Sequence, residues 1–186
     1  SQLTKITPYV TGKYMVIDTS TRRNLELTET LREKNKRGSL LWILDKTKTA
    51  MGARLLRTYI EQPLIEKSEI LKRQGAIQAL VNSAIDREEL REYLNPIYDL
   101  ERIISRIANN TANPRDLVSF RTSLEMLPPI KHILGTFDDS MLTEINENMD
   151  ALTDIAELIL ASIVDEPPIL IKEGGIIKEG YNEEVD

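Results

Sequence analysis

The sequence of 186 residues contains no cysteine and only one histidine. Without cysteine the chain has no disulfides and no zinc site built from thiolates, and its composition agrees with a reducing cytoplasm. His132 has neither a cysteine nor an acidic partner at ligand spacing nearby. A metal site or a catalytic triad is therefore not predicted there, and a surface or packing histidine is favoured.

Long apolar runs are also missing. No segment approaches the roughly 20 uninterrupted apolar residues that a membrane-spanning helix needs. Residues 1–17 have neither a basic start followed by an apolar core nor a small-residue cleavage site, so no secretion signal and no membrane partner are predicted. Because the sequence begins at Ser1 without an initiator methionine, we expect it to be an excised piece of a longer chain.

The sequence has no phosphate loop of the form Gly-x-x-x-x-Gly-Lys-Ser/Thr, which ATPases use to hold phosphates. The segment 47–52 resembles such a loop only superficially, because it has a single glycine and no Gly-Lys-Thr ending. A capped helix start explains its residues equally well. No nucleophile lies near a base, so we expect no enzyme activity, no catalytic residues, and no cofactor or metal in this chain.

Hydrophobic residues make up 41% of the sequence and charged residues 29%, which is typical of a soluble globular protein. A chain of this length forms one domain and buries roughly 70% of the surface of its unfolded state. We therefore predict a single domain over residues 1–186.

The formal net charge of −6 conceals a gradient along the chain. Residues 1–57 carry 12 Lys and Arg against 5 Asp and Glu, whereas residues 136–186 carry 2 against 14. A basic face can meet the phosphates of nucleic acid. The alternative is that the two ends attract each other or other domains, or are simply solvated. The candidates for contact with a DNA backbone are Arg22, Arg23, Lys34, Lys36 and Arg37.

The densest apolar run, residues 39–64, contains the only tryptophan. Ser39 is predicted to cap a first helix over 40–44, Thr49 to cap a second helix, and Pro63 to end it. Because the first helix is nearly all apolar, we predict that Trp42 and its neighbours are buried on most of the helix circumference. The pair of helices would then be the hub around which the other helices pack.

The predicted fold is mainly α, an irregular multi-helix bundle with short β-strands near the N- and C-terminal ends. A strand and turn are assigned to residues 1–20, with the strand at 14–17, a helical core to 21–166, and a β-turn-β unit to 167–186. Further local predictions are a helical pattern from Thr21 through Leu31, a cap at Ser68, a capping box of Asp86 and Glu89, a cap at Asn113 before Pro114, a left-handed Gly135 and one long helical pattern over 141–163.

Asp99, Glu101, Arg102 and Arg106 form the most suggestive charged cluster. Paired carboxylates can perform acid-base chemistry. With arginines interleaved at i, i+3 and i, i+4 spacing, an ion-pair network between helices is the stronger interpretation.

Several separated blocks resemble the MutS family of DNA mismatch repair proteins, in the right order and over essentially the whole chain. They include 14–18 with 21–27, Gly38-Ser39-Leu40-Leu41, the run 44–57 with its Thr47, Thr49, Met51, Gly52 and Arg54, Pro63-Leu64, Asp99-Leu100-Glu101-Arg102, Pro114-Arg115-Asp116-Leu117, and 174–186. The family motif residues matched are Trp42, Asp45, Thr49, Gly52, Arg54, Pro63, Asp99, Glu101 and Arg102.

The resemblance implies the core, or lever, domain between the connector domain and the DNA clamp. Whole family members are dimers that bind mismatched double-stranded DNA and hydrolyse ATP with Mg, and their location is the bacterial cytoplasm. The partners implied are the connector, clamp and ATPase domains, a second subunit, and DNA through the full-length protein. ATP and Mg then belong to segments outside this chain.

The resemblance favours a non-catalytic structural and allosteric domain that links the ATPase to the clamp. The alternatives are a helical protein-interaction scaffold and a free-standing nucleic-acid-binding module. A domain cut from its neighbours exposes apolar surface that they would cover, so self-association is also predicted.

Overall fold

The structure, a computed structural model, describes residues 12–186, and the predicted mainly α class is confirmed. Within that range no helix combines the length and the apolar character needed to cross a membrane. The helices are α1 Thr19–Asn24, α2 Leu40–Leu44, α3 Ala50–Glu61, α4 Lys67–Asn82, α5 Ala84–Leu94, α6 Leu100–Ala108, α7 Pro114–Leu124, α8 Leu127–Leu134, α9 Ser140–Asn148 and α10 Thr153–Ser162, followed by a 3₁₀ helix, Ile171–Glu173.

The strand predicted over 14–17 is wrong. Only Tyr14 forms a bridge, with Leu64, flanked by Met15 N–H donating to the Pro63 carbonyl at 2.8 Å. Val16 is 94% exposed. β-branched residues form a strand only where a partner strand continues beside them, and here the pairing stops after one bridge. Residues 1–11 of the predicted strand and turn lie outside the described residues.

The β-turn-β unit at the C-terminal end is also wrong. Ile177 forms a bridge with Ile163, just beyond α10, instead of pairing with 169–171. Val164 N–H donates to the Ile176 carbonyl, and Lys178 N–H donates to the Ser162 carbonyl. Ile176 and Ile177 pack against the apolar cluster that includes α10, and burial of these side chains favours this pairing over a local hairpin.

The described residues divide into two compact units. The first contains 12–46 and 53–74, and the second contains 47–52 and 75–186. The prediction of one domain over 1–186 stays a prediction.

Ser39 holds the start of α2 in the first unit. Its side chain is fully buried, and Oγ accepts from Trp42 N–H at 3.2 Å and donates to the Lys36 carbonyl at 2.6 Å. The two preceding amides of the helix, of Leu40 and Leu41, donate to carbonyls of residues 26 and 27. The predicted cap is confirmed, and each amide in this first turn has an acceptor.

The predicted burial of α2 is wrong. Leu41 is 3% exposed, but Trp42 is 47% exposed and Ile43 58%. A helix of five residues turns only about one and a half times, so one side chain faces the interior of its unit while the others point away. Trp42 is therefore not the hub of a core.

The core of the second unit consists of two apolar clusters. The first contains Ala76, Leu90, Ile97, Ile130, Ile133, Leu134 and Leu142. The second contains Ile103, Phe120, Leu124, Ala156, Ile159 and Ile163. Leu100 and Leu127 pack against both clusters, so the starts of α6 and α8 join them into one packed interior.

An ion pair fixes the corner between α6 and α7. Arg106 donates to Asp116 through two bonds, Nε to Oδ2 at 3.1 Å and Nη2 to Oδ1 at 2.8 Å. Asp116 also completes a capping box with Asn113, in which each side chain accepts from the backbone N–H of the other. The predicted cap at Asn113 is confirmed. Of the predicted charged cluster, Arg106 pairs between helices, but with Asp116, which the predicted cluster did not include.

Five other local predictions are wrong. α1 already ends at Asn24, and Glu26 (φ +51°) stops the pattern predicted to run through Leu31. Leu152, at φ +48°, divides the long pattern over 141–163 into α9 and α10. Ser68 does not cap α4 but lies inside its first turn. Asp86 lies in the first turn of α5, whose N-cap is Ser83. Gly135 is right-handed, at φ −65°. Helices α4 and α5 begin before the predicted capping residues, and α8 ends with Gly135 N–H donating to the Lys131 carbonyl, a closure that needs no left-handed residue.

We expect Ser39→Ala to lower the free energy of unfolding by about 1–2 kcal/mol, because the cap of Trp42 N–H is lost in a buried site. Urea denaturation measures the change. The exposed Ser68→Ala, also a serine beside a helix start, is the matched control and should change stability by less than about 0.5 kcal/mol. Equal effects at the two serines would contradict the capping role of Ser39.

We expect Asp116→Ala to destabilise the chain by about 2 kcal/mol, since the Arg106 pair disappears together with the half of the capping box in which Asp116 accepts from Asn113 N–H. Asp116→Asn retains an acceptor for the cap and should fall between this variant and the parent chain. Thermal and urea unfolding would measure both variants beside the exposed Asp138→Ala. The interpretation fails if Asp116→Asn is as unstable as Asp116→Ala, because the cap would then contribute nothing.

Candidate functional site

A basic cleft opens on the first unit. Its volume is about 250 Å³. The residues lining it are Thr19, Arg22, Arg23, Thr28, Glu29 and Lys34. Three of the five cations predicted to meet a phosphate backbone thus come together on one surface. A concave site with three cations and one carboxylate attracts anions.

The cap of α1 positions the two arginines of this basic cleft. Asp18 accepts from Thr21 N–H at 2.6 Å, and this backbone hydrogen bond is the main cause that lowers the pKa of Asp18 below its ordinary value. The helix starts there and places Arg22 and Arg23 in its last turn. Lys34 reaches the same cleft from a tight loop, in which its N–H donates to the Thr30 carbonyl and its own φ is +51°.

Arg22 is the most constrained cation of the basic cleft. Its Nη1 lies 3.8 Å from Oε2 of Glu61, which also pairs with Arg57 at 3.0 Å. Its Nε is buried and has no hydrogen-bond partner among the described residues. Buried guanidinium N–H groups normally have an acceptor, so this unpaired N–H is an exception, and its burial keeps it out of contact with the cleft.

The other two predicted cations lie outside the basic cleft. Lys36 pairs with Asp45, which follows the last residue of α2. Arg37 is exposed on the loop before Ser39 and does not line the cleft. The five cations are close in sequence but separate in the folded chain. Three line the cleft, Lys36 forms an ion pair, and Arg37 is exposed.

Thr49 and Gly52 form the start of α3. Thr49 Oγ1 accepts from Gly52 N–H at 2.9 Å, which confirms the predicted cap. A Cβ added to Gly52 would lie 3.0 Å from that oxygen. A larger residue therefore crowds the cap directly. Trp42, from the same predicted motif, is half exposed on α2.

Arg54 and Pro63 bracket the rest of α3. The Arg54 carbonyl accepts from Thr58 Oγ at 3.1 Å inside the helix. The helix ends at Glu61, as predicted from Pro63, whose carbonyl accepts from Met15 N–H. In both residues, a backbone carbonyl accepts a hydrogen bond within the first unit.

A second cleft, of about 350 Å³, lies along α6 and α7 in the second unit. It is lined by Tyr98, Asp99, Arg102, Ile103, Arg106, Asp116 and Ser119. Asp99 caps α6 by accepting from Arg102 N–H at 3.3 Å, and it also pairs with the Arg102 side chain at 3.5 Å. Glu101 is exposed and does not line this cleft. Each lining carboxylate is thus held by an arginine, an arrangement typical of structural ion pairs.

Two connections in the second unit were not predicted. Ser123 is fully buried, accepts from Tyr98 N–H at 2.9 Å and donates to the Ser119 carbonyl. Arg115 Nε donates to the carbonyl of the buried Pro167 at 3.0 Å. No pattern in the sequence indicates these long-range bonds. The role of Asp116 was detectable, since its spacing of three from Asn113 is that of a capping box.

Among the described residues, no three His, Asp or Glu side chains lie close enough together to hold a metal ion. His132 is exposed in the last turn of α8, in agreement with a surface histidine.

Comparison with known proteins gives a family. Residues 20–186 match the family model for MutS domain III. The chain is 64% identical over its whole length to the DNA mismatch repair protein MutS of Lachnoclostridium phytofermentans, of which it covers 20%. It is 53% and 50% identical over its whole length to the MutS proteins of Alkaliphilus oremlandii and Ruminiclostridium cellulolyticum, covering 21% of each.

The chain thus spans about a fifth of the length of these relatives. The matching region begins two residues after the Asp18 cap and includes the second cleft and every lining residue of the basic cleft except Thr19. On this match the chain belongs to the MutS domain III family.

Proposed function

We propose that this chain is a non-catalytic coupling domain, which transmits the nucleotide state of an ATPase domain to a DNA clamp in a longer protein of the bacterial cytoplasm. ATP and Mg would bind outside the chain. The observation that carries the proposal is the connection between its two units. Helices α3 and α4 each contribute residues to both units, so two continuous helices join them.

Both helices change unit at a glycine. Gly52 is the last residue of segment 47–52, and Gly75 is the first residue of segment 75–186. Each glycine is closely packed within the second unit, since an added Cβ would lie 3.0 Å from Thr49 Oγ1 at Gly52 and 3.3 Å from Asp139 Oδ1 at Gly75. Thr49 and Asp139 are themselves capping residues, of α3 and α9.

Glycine in a helix increases backbone freedom, and it lowers stability by about 0.5–1 kcal/mol relative to alanine. Two helices with glycine at the same boundary can bend there while each unit keeps its own packing. Hinges of this kind convert a displacement at one end of a domain into a discrete change at the other. The expected coupling free energy is about 1–3 kcal/mol, as in other allosteric systems.

The exposed apolar side chains of α2 support a place between other domains. Leu40, Trp42, Ile43 and Leu44 are between 41% and 58% exposed. We propose that connector, clamp or ATPase segments, or a second subunit, cover them in the longer protein. Self-association of the isolated chain through this face stays a prediction.

We expect Gly52→Ala and Gly75→Ala to weaken coupling in a full-length MutS protein that carries this chain as its domain III. The measured quantity is the ratio of the dissociation constants for mismatched DNA with and without ATP. Each variant should reduce this ratio by about threefold or more, equivalent to part of a coupling free energy of about 1–3 kcal/mol. DNA affinity without nucleotide should change by less than about twofold, because no residue of a DNA contact is altered.

Gly135→Ala is the matched control. Gly135 is right-handed and lies within the second unit, and an added Cβ would make only ordinary contacts of 3.4–3.6 Å. It should leave the ratio unchanged. If coupling in the two hinge variants falls only in proportion to their melting temperature, the glycines are packing positions and the coupling proposal fails.

A free-standing nucleic-acid-binding module is the second candidate, favoured by the charge of the first unit. Its residues 12–46 and 53–74 carry 13 Lys and Arg against 8 Asp and Glu, a net charge of +5. The second unit carries 10 against 22, a net charge of −12. The acidic unit would repel the polyanion that the basic unit attracts, which favours weak binding and hence the coupling domain.

Titration of a labelled duplex by fluorescence anisotropy distinguishes the two candidates. We expect a dissociation constant weaker than about 10⁻⁵ M near physiological salt, and an affinity that falls about 40-fold between about 50 and about 200 mM salt if three phosphates are contacted. Tight binding near 10⁻⁸ M at the higher salt would instead support a binding module.

A further inference from the structure

We infer that the basic cleft on the first unit is a binding site for a single phosphate group. The inference goes beyond the coupling role, because the cleft and its ligand are independent of the hinge. It depends on which side chains line the cleft and on the size of the space.

The lining supplies the groups that bind phosphate. Arg22, Arg23 and Lys34 contribute three cations, and Thr19 and Thr28 contribute two hydroxyls. Arginine forms paired, charge-assisted hydrogen bonds to phosphate oxygens, while lysine acts as a point charge. Glu29 offsets one of the three positive charges, so the lining keeps a net charge of +2. That charge attracts a phosphate dianion or a phosphate diester.

Arg22 is only loosely held by its carboxylate partner. Its Nη1 is 3.8 Å from Glu61 Oε2, beyond a strong hydrogen bond, and Glu61 is shared with Arg57. Because Arg22 lines the cleft, its guanidinium can form a stronger, charge-assisted pair with a phosphate there.

The volume favours a small anion over a larger ligand. The space of about 250 Å³ is below the range of about 300–1,000 Å³ in which sites for drug-sized molecules fall. It holds a phosphate with several waters, since each water occupies about 30 Å³. One phosphate of a backbone fits such a space.

The experiment follows the Nε–Hε signals of the arginines by ¹⁵N NMR while inorganic phosphate is added to the chain at constant ionic strength. Arg22→Lys identifies the Arg22 signal by its loss. We expect a saturable shift of that signal. The double variant Arg23→Gln, Lys34→Gln should raise the phosphate dissociation constant about tenfold or more, because it removes two of the three cations.

Arg37→Gln is the matched control, since Arg37 is an exposed cation of the same unit outside the cleft. It should change the dissociation constant by less than about twofold. Circular dichroism checks that every variant keeps its helices. A further arm adds a short DNA duplex to the phosphate-saturated chain, and displacement of phosphate would identify the backbone of nucleic acid as the source of the ligand. Retention of phosphate would identify free phosphate compounds instead.

Three results would overturn the inference. They are a shift of Arg22 Nε–Hε that does not saturate, an unchanged affinity in the double variant, and an equal loss of affinity in Arg37→Gln. Each would mean that phosphate interacts with the net charge of the first unit and not with the cleft.

Discussion

Hydrogen bonding at the helix starts is the constraint on which this structure depends. The ten helices of residues 12–186 have between 5 and 16 residues, so a large share of their amides lies in first turns that have no partner within the helix. Side chains fill this need at six starts, namely Asp18, Ser39, Thr49, Asp99, Asn113 and Asp139. Two of these caps also position residues of the proposed sites. The cap at Asp18 starts α1, which carries Arg22 and Arg23, and the cap at Thr49 starts α3, which carries Gly52.

The buried apolar side chains are mostly not those of the most apolar stretch of the sequence. The richest run, at 40–44, is mostly exposed, while the packed interior lies in the second unit and is joined through Leu100 and Leu127. Burial depends on what lies opposite a side chain, and Leu41 is the one side chain of α2 that is buried. An exposed face of this kind is what we expect of a domain that works between others.

Membership of the MutS domain III family and the chain's own features support a common interpretation. We propose that the two helices that change unit at Gly52 and Gly75 bend there, and the Arg106–Asp116 corner with the Ser123–Tyr98 bond holds the second unit together internally. A coupling element needs this contrast between a stiff body and a soft connection, because a body that deforms throughout cannot transmit a displacement. The basic cleft adds a separate electrostatic feature to the first unit.

The sequence by itself determined the mainly helical class, the family, the caps at Ser39, Thr49 and Asn113, and the end of α3 before Pro63. These features depend on interactions within about four residues, which a local pattern contains. Tertiary structure alone decided that Tyr14 pairs with Leu64 and Ile177 with Ile163, that Trp42 is half exposed, that Leu152 divides one helical pattern into two, and that Lys34 joins Arg22 and Arg23 while Lys36 does not. Each of these depends on residues that are distant in the chain, whose proximity arises only when the helices pack.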